Sequence, residues 1–90
     1  MEFEWHERKR AQVIEDRALD FASAYLFFNG RPVIHQPTPR HSEERWKTTA
    51  KIDGSFFTII WTWRAKIIRV ISIRRAHEQE IRKHRAAHRG

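Results

Sequence analysis

Phe3 and Trp5 alternate with Glu2 and Glu4, and this period of two predicts a short opening strand. His6 to Arg17 is rich in charged helix formers and free of Gly and Pro, which predicts a polar first helix anchored by Val13 and Ile14. Asp20 has the chemistry of an N-cap. Behind it Phe21, Ala24, Tyr25 and Phe28 fall at i, i+3, i+4 and i+7, one face of a second helix. Asn29-Gly30 closes that helix, since both residues tolerate a left-handed cap.

Pro32, Pro37 and Pro39 bracket Val33 to Gln36, so that stretch is an edge strand or a loop. Glu43 to Ile52 and Ser55 to Trp63 flank Asp53-Gly54, a strong hairpin signal. Phe57, Ile59, Trp61 and Trp63 share one face of the second of these strands, and Phe56, Thr58, Ile60 and Thr62 share the other. A strand apolar on both faces is central and covered on both sides. Ile67 to Ile73 is a further strand, with Ile67, Arg69, Ile71 and Ile73 on one face and Ile68, Val70, Ser72 and Arg74 on the other. From Ala76 the chain is charged and reads as a terminal helix. The expected fold is α+β in the order β-α-α-β-β-β-β-α. It is a single domain over residues 1–90, a small antiparallel sheet with N-terminal helices and a C-terminal helix against one face.

Charge narrows the function. Lys and Arg total 18 against 11 Asp and Glu, a net +7, and cysteine is absent. Disulfide scaffolds and thiolate chemistry are therefore excluded. No apolar run reaches a membrane span, and the charged N-terminus does not read as a signal peptide, so the expected setting is the cytoplasm. The excess of cations points to nucleic acid.

The basic residues are patterned. Arg64, Lys66, Arg69, Arg74 and Arg75 lie on or beside two strands, and Arg82, Lys83, Arg85 and Arg89 follow on the terminal helix. Arginine suits phosphate because its planar fork pairs bidentately and keeps its charge when partly buried. His77, His84 and His88 share a helical stripe. Histidines at i and i+4 can share a metal, but no carboxylate or cysteine lies on that stripe, so no metal site is assigned. His84 is instead an acid/base candidate near neutral pH, with His41 as a second. Trp61 reads as core and Trp46 as the better candidate for an exposed ring. There is no glycine-rich phosphate loop, no zinc-finger spacing and no nucleophile elbow.

Several segments resemble the BrnT family of type II toxin–antitoxin ribonucleases. They are Phe3-Glu4-Trp5 with Glu7 and Lys9, Asp20-Phe21, Arg40-His41-Ser42-Glu43 with Glu44-Arg45, and Arg69 to Ala76 with Glu80. The resemblance implies a RelE-like fold, RNA cleavage without a metal or other cofactor, and neutralisation by a BrnA-like antitoxin. It also implies a toxin–antitoxin complex, a heterotetramer built through antitoxin dimerisation, that touches DNA only through the antitoxin. The chain departs from the family pattern in four places. His6 stands where an aspartate is usual, and Asp16-Arg17-Ala18 replaces Lys-His-Gly. Trp63 replaces an acidic residue, and His84 replaces a tyrosine.

These readings combine into a metal-independent endoribonuclease toxin that blocks translation and growth. Its alternative is a non-catalytic basic module that binds nucleic acid or a partner. Arg64 and Arg75 are the expected catalytic cations, with Arg69 beside them on phosphate. Glu80 and His84, one helical turn apart, are the acid/base candidates, although Glu80 can equally pair with an arginine and fix its rotamer. Lys9, His41, Arg45, Arg69 and Arg74 are expected to bind the RNA.

Overall fold

The computed structural model describes residues 1–89. Its elements are β1 (Glu2–Glu4), α1 (Glu7–Arg17), a 3₁₀ helix (Phe21–Phe27), β2 (Val33–Pro37), β3 (Trp46–Ile52), β4 (Ser55–Arg64), β5 (Ile67–Arg75) and α2 (Glu78–Ala87). This is the α+β class and the element order that the sequence predicts. The strands form one sheet, ordered β1-β5-β4-β3-β2. Strands β2 to β5 make an antiparallel meander, while β1 pairs parallel with β5, so the sheet is mostly and not wholly antiparallel. β2 lies at the edge, where its flanking prolines are tolerated.

Asp20 caps the 3₁₀ helix as expected, its carboxylate accepting from the Ala22 N–H at 2.9 Å. The segment nevertheless winds with three residues per turn, not 3.6. Phe21, Ala24 and Phe27 therefore line up in the core, and Tyr25, expected on the buried face, is 57% exposed. In α1 only Val13 is buried, and Ile14 faces solvent. α1 ends on Ala18, which is left-handed at φ 56° and donates its N–H to the Ile14 carbonyl at 2.8 Å.

Two hairpins are joined by two-residue turns. Asp53 and Gly54 are both left-handed, as a type I′ turn demands. Ala65 and Lys66 join β4 to β5, with Ala65 left-handed at φ 55°. The β2–β3 hairpin continues beyond its strands. Thr38 donates to the Arg45 carbonyl, Arg40 and Glu43 exchange both backbone bonds, and His41 and Ser42 form a left-handed tip at φ 50° and 65°. Glu43 to Arg45, expected inside a strand, thus form an arm reaching past the sheet.

β5 carries a bulge. Ile60 pairs with Ser72 and Trp61 with Val70, leaving Ile71 as the extra residue. One inserted residue flips every side chain beyond it. Ile68, Val70 and Ile73 consequently share the core face, although a strict period of two separates Ile73 from the other two. Arg69 and Arg74 share the opposite face for the same reason. The core face of the sheet packs on Phe21, Ala24, Phe27 and Val13. α2 lies on the other face, where Glu80 bonds Thr58, the neighbour of buried Ile59. The helices therefore cover both faces of the sheet, not one. β1 pairs only with Ile67 to Arg69, and α1 lies along the remaining edge of β5, where Arg17 Nη1 donates to the Ile73 carbonyl at 2.9 Å.

Candidate functional site

Where β5 bulges, the sheet, the start of α1 and the β2–β3 arm enclose a recess of about 200 Å³. His6, Lys9, Arg45, Thr62, Arg69 and Glu43 line it, with Val70 and Ile71. Each cation arrives from a different element. Lys9 comes from the first turn of α1, Arg45 from the hairpin arm and Arg69 from β5. Arg45 is steadied by Glu43, Nε to Oε1 at 2.6 Å. The Thr62 hydroxyl donates to the Glu44 carbonyl at 2.6 Å and ties the arm to β4.

Glu4 organises the adjoining arginines. Its Oε2 accepts from Arg69 Nη1 at 2.7 Å and lies 3.3 Å from Arg64 Nη1. One carboxylate cannot neutralise two guanidiniums, so the pair keeps a net positive charge. Arg64 is 64% exposed and Arg69 about half as much, so both can reach an incoming phosphate. His6 occupies the N-cap position of α1 without a side-chain cap bond, which leaves its ring to the recess.

Glu80 is placed differently. It is 2% exposed and accepts from Arg74 through both oxygens, at 2.8 and 2.9 Å. The Thr58 hydroxyl donates to it at 3.0 Å, the His77 backbone N–H at 2.7 Å, and Lys47 Nζ stands 3.0 Å away. Burial pushes its carboxyl up, but Arg74, the His77 amide, Lys47 and Thr58 outweigh burial and hold it well below the usual carboxylate range. Thr58 in turn meets Thr49 at 2.9 Å, so the carboxylate ends a buried polar chain across β3 and β4.

His84 is also buried. Its Nε2 lies 3.0 Å from the Pro32 carbonyl, and its ring meets Phe56 edge-on at 5.2 Å. Phe56 and Arg64 are eight residues apart on β4, roughly 26 Å at about 3.3 Å per residue. Arg75 is opposite Phe57, with its guanidinium 5.4 Å from that ring, so it too lies at the far end, and on the core face. The structure thus brings Lys9, Arg45 and Arg69 together with Arg64 beside them. It sets Arg75, Glu80 and His84 apart from that group, and it places Arg74 with Glu80. His41 is at the exposed tip of the arm that carries Arg45. His6 was not among the expected site residues. The available signal was an imidazole at a position where the resemblance implies an aspartate.

The tryptophans follow the same end of the sheet. Trp61 is core, as expected. Trp46 is half-buried and stacked on Trp61 with centroids 6.4 Å apart, whereas Trp63, next to Arg64, is 48% exposed. Among the described residues no group of three His, Cys, Asp or Glu is arranged to hold a metal ion. Nor, among the described residues, is any helix long and apolar enough to cross a membrane.

A family model described as ribonuclease toxin, BrnT, of type II toxin–antitoxin system matches residues 5–80. That span begins next to Glu4, takes in the whole recess and ends on Glu80. No curated protein matches the chain significantly.

Proposed function

The chain belongs to the BrnT family of ribonuclease toxins of type II toxin–antitoxin systems, and we propose that it cleaves RNA in the His6–Lys9–Arg45–Arg69 recess without a metal ion. The observation that supports this reading is the convergence of three cations and an imidazole from three separate segments on one recess, with Arg64 joined through Glu4. His6 takes the proton of the 2′-hydroxyl, O2′ attacks phosphorus and the P–O5′ bond breaks. Arg64, Arg69 and Arg45 hold the charge that builds on the phosphoryl oxygens, which is the largest contribution such a site can make. Lys9 stands one turn along α1 from His6 and donates the proton that the leaving O5′ takes up. Glu80 is a positioning residue for Arg74 and Lys47, and His84 fastens α2 to the edge of β2.

The single domain acts in the cytoplasm, and cutting RNA there blocks translation. A type II toxin has a protein antitoxin. A BrnA-like partner with acidic side chains fits the +7 charge, because opposite potentials steer and orient association. The complex reaches DNA through that partner, and a heterotetramer forms by antitoxin dimerisation.

The test is RNA degradation by the purified chain in excess EDTA, alongside His6→Ala and Arg69→Ala. Cleavage that survives EDTA and fails in both variants is the expected result. Loss of activity on chelation refutes metal independence. RNA that is bound but left intact by the parent chain returns the protein to the non-catalytic module.

A further inference from the structure

The C-terminal helix and its histidines are not used by the recess. Between α2 and the far end of the β2–β3 hairpin there is a pocket of about 590 Å³, lined by Pro32, Lys51, His84, Arg85, His88 and Arg89. None of these residues is a carboxylate. Lys51 and Arg85 come from different elements, yet both lie against one ring. Lys51 Nζ is 5.7 Å and the Arg85 guanidinium 5.4 Å from the Phe56 centroid. Holding two cations against one aromatic ring costs mutual repulsion, and the ring quadrupole offsets only part of it. His84 meets the same ring by its edge, and His88 stands 4.9 Å from His84 with its Nε2 2.7 Å from the Val33 carbonyl. The two imidazoles thus fix α2 to the edge strand, and with it the position of Arg85.

We propose that this pocket is a second phosphate site, which grips the RNA strand several nucleotides from the bond cut in the recess. The proposal rests on the reading that RNA enters the recess. Lys51 and Thr62 lie on the same face of the sheet at opposite ends of the strands, because Lys51 pairs with Phe56, which alternates with Thr58, Ile60 and Thr62. The two sites are therefore roughly 20 Å apart along one face, six residues of β4 at a rise of about 3.3 Å per residue. Lys47, between them on that face, and Arg82 and Lys83 on the exposed side of α2 continue the positive field. A single strand spanning the two sites needs at least about four nucleotides, within the range of known single-strand sites.

The experiment measures binding of uncleavable 2′-O-methyl oligoribonucleotides, a trinucleotide and a dodecanucleotide, by fluorescence anisotropy across a salt series. It compares the parent chain with Lys51→Gln/Arg85→Gln. Both side chains are exposed, and a melting curve confirms the fold. The parent chain binds the dodecanucleotide more tightly than the trinucleotide. The double variant loses about tenfold for the dodecanucleotide, and its salt slope falls by about 1.4, two cations at about 0.7 each for a single strand. Its trinucleotide affinity changes less than about twofold. Unchanged dodecanucleotide affinity and slope overturn the proposal. Because the probes cannot be cut, a parent chain that fails to cleave RNA sinks the catalytic reading while these measurements still decide the pocket.

Discussion

Replacing Glu80 with glutamine separates structure from catalysis at one position. The substitution keeps the shape and removes the charge that Arg74 and Lys47 face. Breaking a buried ion pair by removing one partner costs about 3–5 kcal/mol. Arg74 and Lys47 are 22% and 25% exposed, so both cations can turn toward water, and the low end of about 3 kcal/mol applies. In a domain of this size that corresponds to a fall in Tm of about 12–24 °C. The pH dependence has a definite sign. The folded carboxyl lies below its ordinary value of 4.5. Its contribution is fully present above pH 4.5 and is lost as pH falls from there through the folded value. Thermal and urea melts of parent and variant should differ by about 3 kcal/mol at pH 7, with the gap narrowing as the pH drops toward 3. Below its melting temperature the variant should cleave RNA within about threefold of the parent, whereas a general acid or base contributes about 10²–10⁴-fold. A gap under about 1 kcal/mol at pH 7 would refute the ion-pair argument. A stable variant with the full catalytic loss would make Glu80 part of the chemistry.

Three further outcomes follow from the geometry. Arg64→Ala should lower RNA cleavage by about 10²–10³-fold with an unchanged melt, while Arg75→Ala, at the far end of β4 and β5, should cleave like the parent; equal losses would mean that the two arginines serve one site. His84→Ala should lower stability by about 1–3 kcal/mol in urea, through the lost bond to the Pro32 carbonyl, and leave the pH–rate profile unmoved. A pH limb that vanishes in that variant would return His84 to catalysis. Ala18→Gly should raise stability by about 1 kcal/mol, since Ala18 is left-handed at φ 56° and only its Cβ opposes that conformation. A destabilised glycine variant would show that unfolded-chain entropy outweighs the strain.

Most of the fold was legible because its signals are local. Asp53-Gly54 demands a tight turn, the prolines confine β2 to an edge, and Asp20 starts a helix whatever surrounds it. The missing glycine at Ala18 was equally readable, and the backbone there is left-handed. Two local readings failed where tertiary packing selected a different period. A repeat of 3.0 in the 3₁₀ helix exchanges Tyr25 for Phe27 in the core, and neither residue's identity announces it. The extra residue at Ile71 breaks the alternation of β5. The apolar spacing of Ile68, Val70 and Ile73, two and then three, carries that information, but only once one face is known to be buried.

The candidate site was less legible, because charge clustered along a sequence is not charge clustered in space. Arg64, Arg69 and Arg75 fall within one short stretch and invite a common role. In an antiparallel hairpin, however, residues meet when they are equally distant from the turn. Arg64 adjoins the turn and faces Ile67, whereas Arg75 is the last residue of β5 and faces Phe57. The register alone therefore assigns the two arginines to opposite ends of the sheet. The residues that do meet Arg69 come from distant parts of the chain. Lys9 is brought by α1 after β1 pairs parallel beside β5, and Arg45 by an arm that outruns its strand. Parallel pairing between the first and last strands is the long-range event that closes the recess. Loosening it, for example by losing the Glu4 bridge to Arg69, should scatter Lys9, Arg45 and Arg69 before it unfolds the sheet.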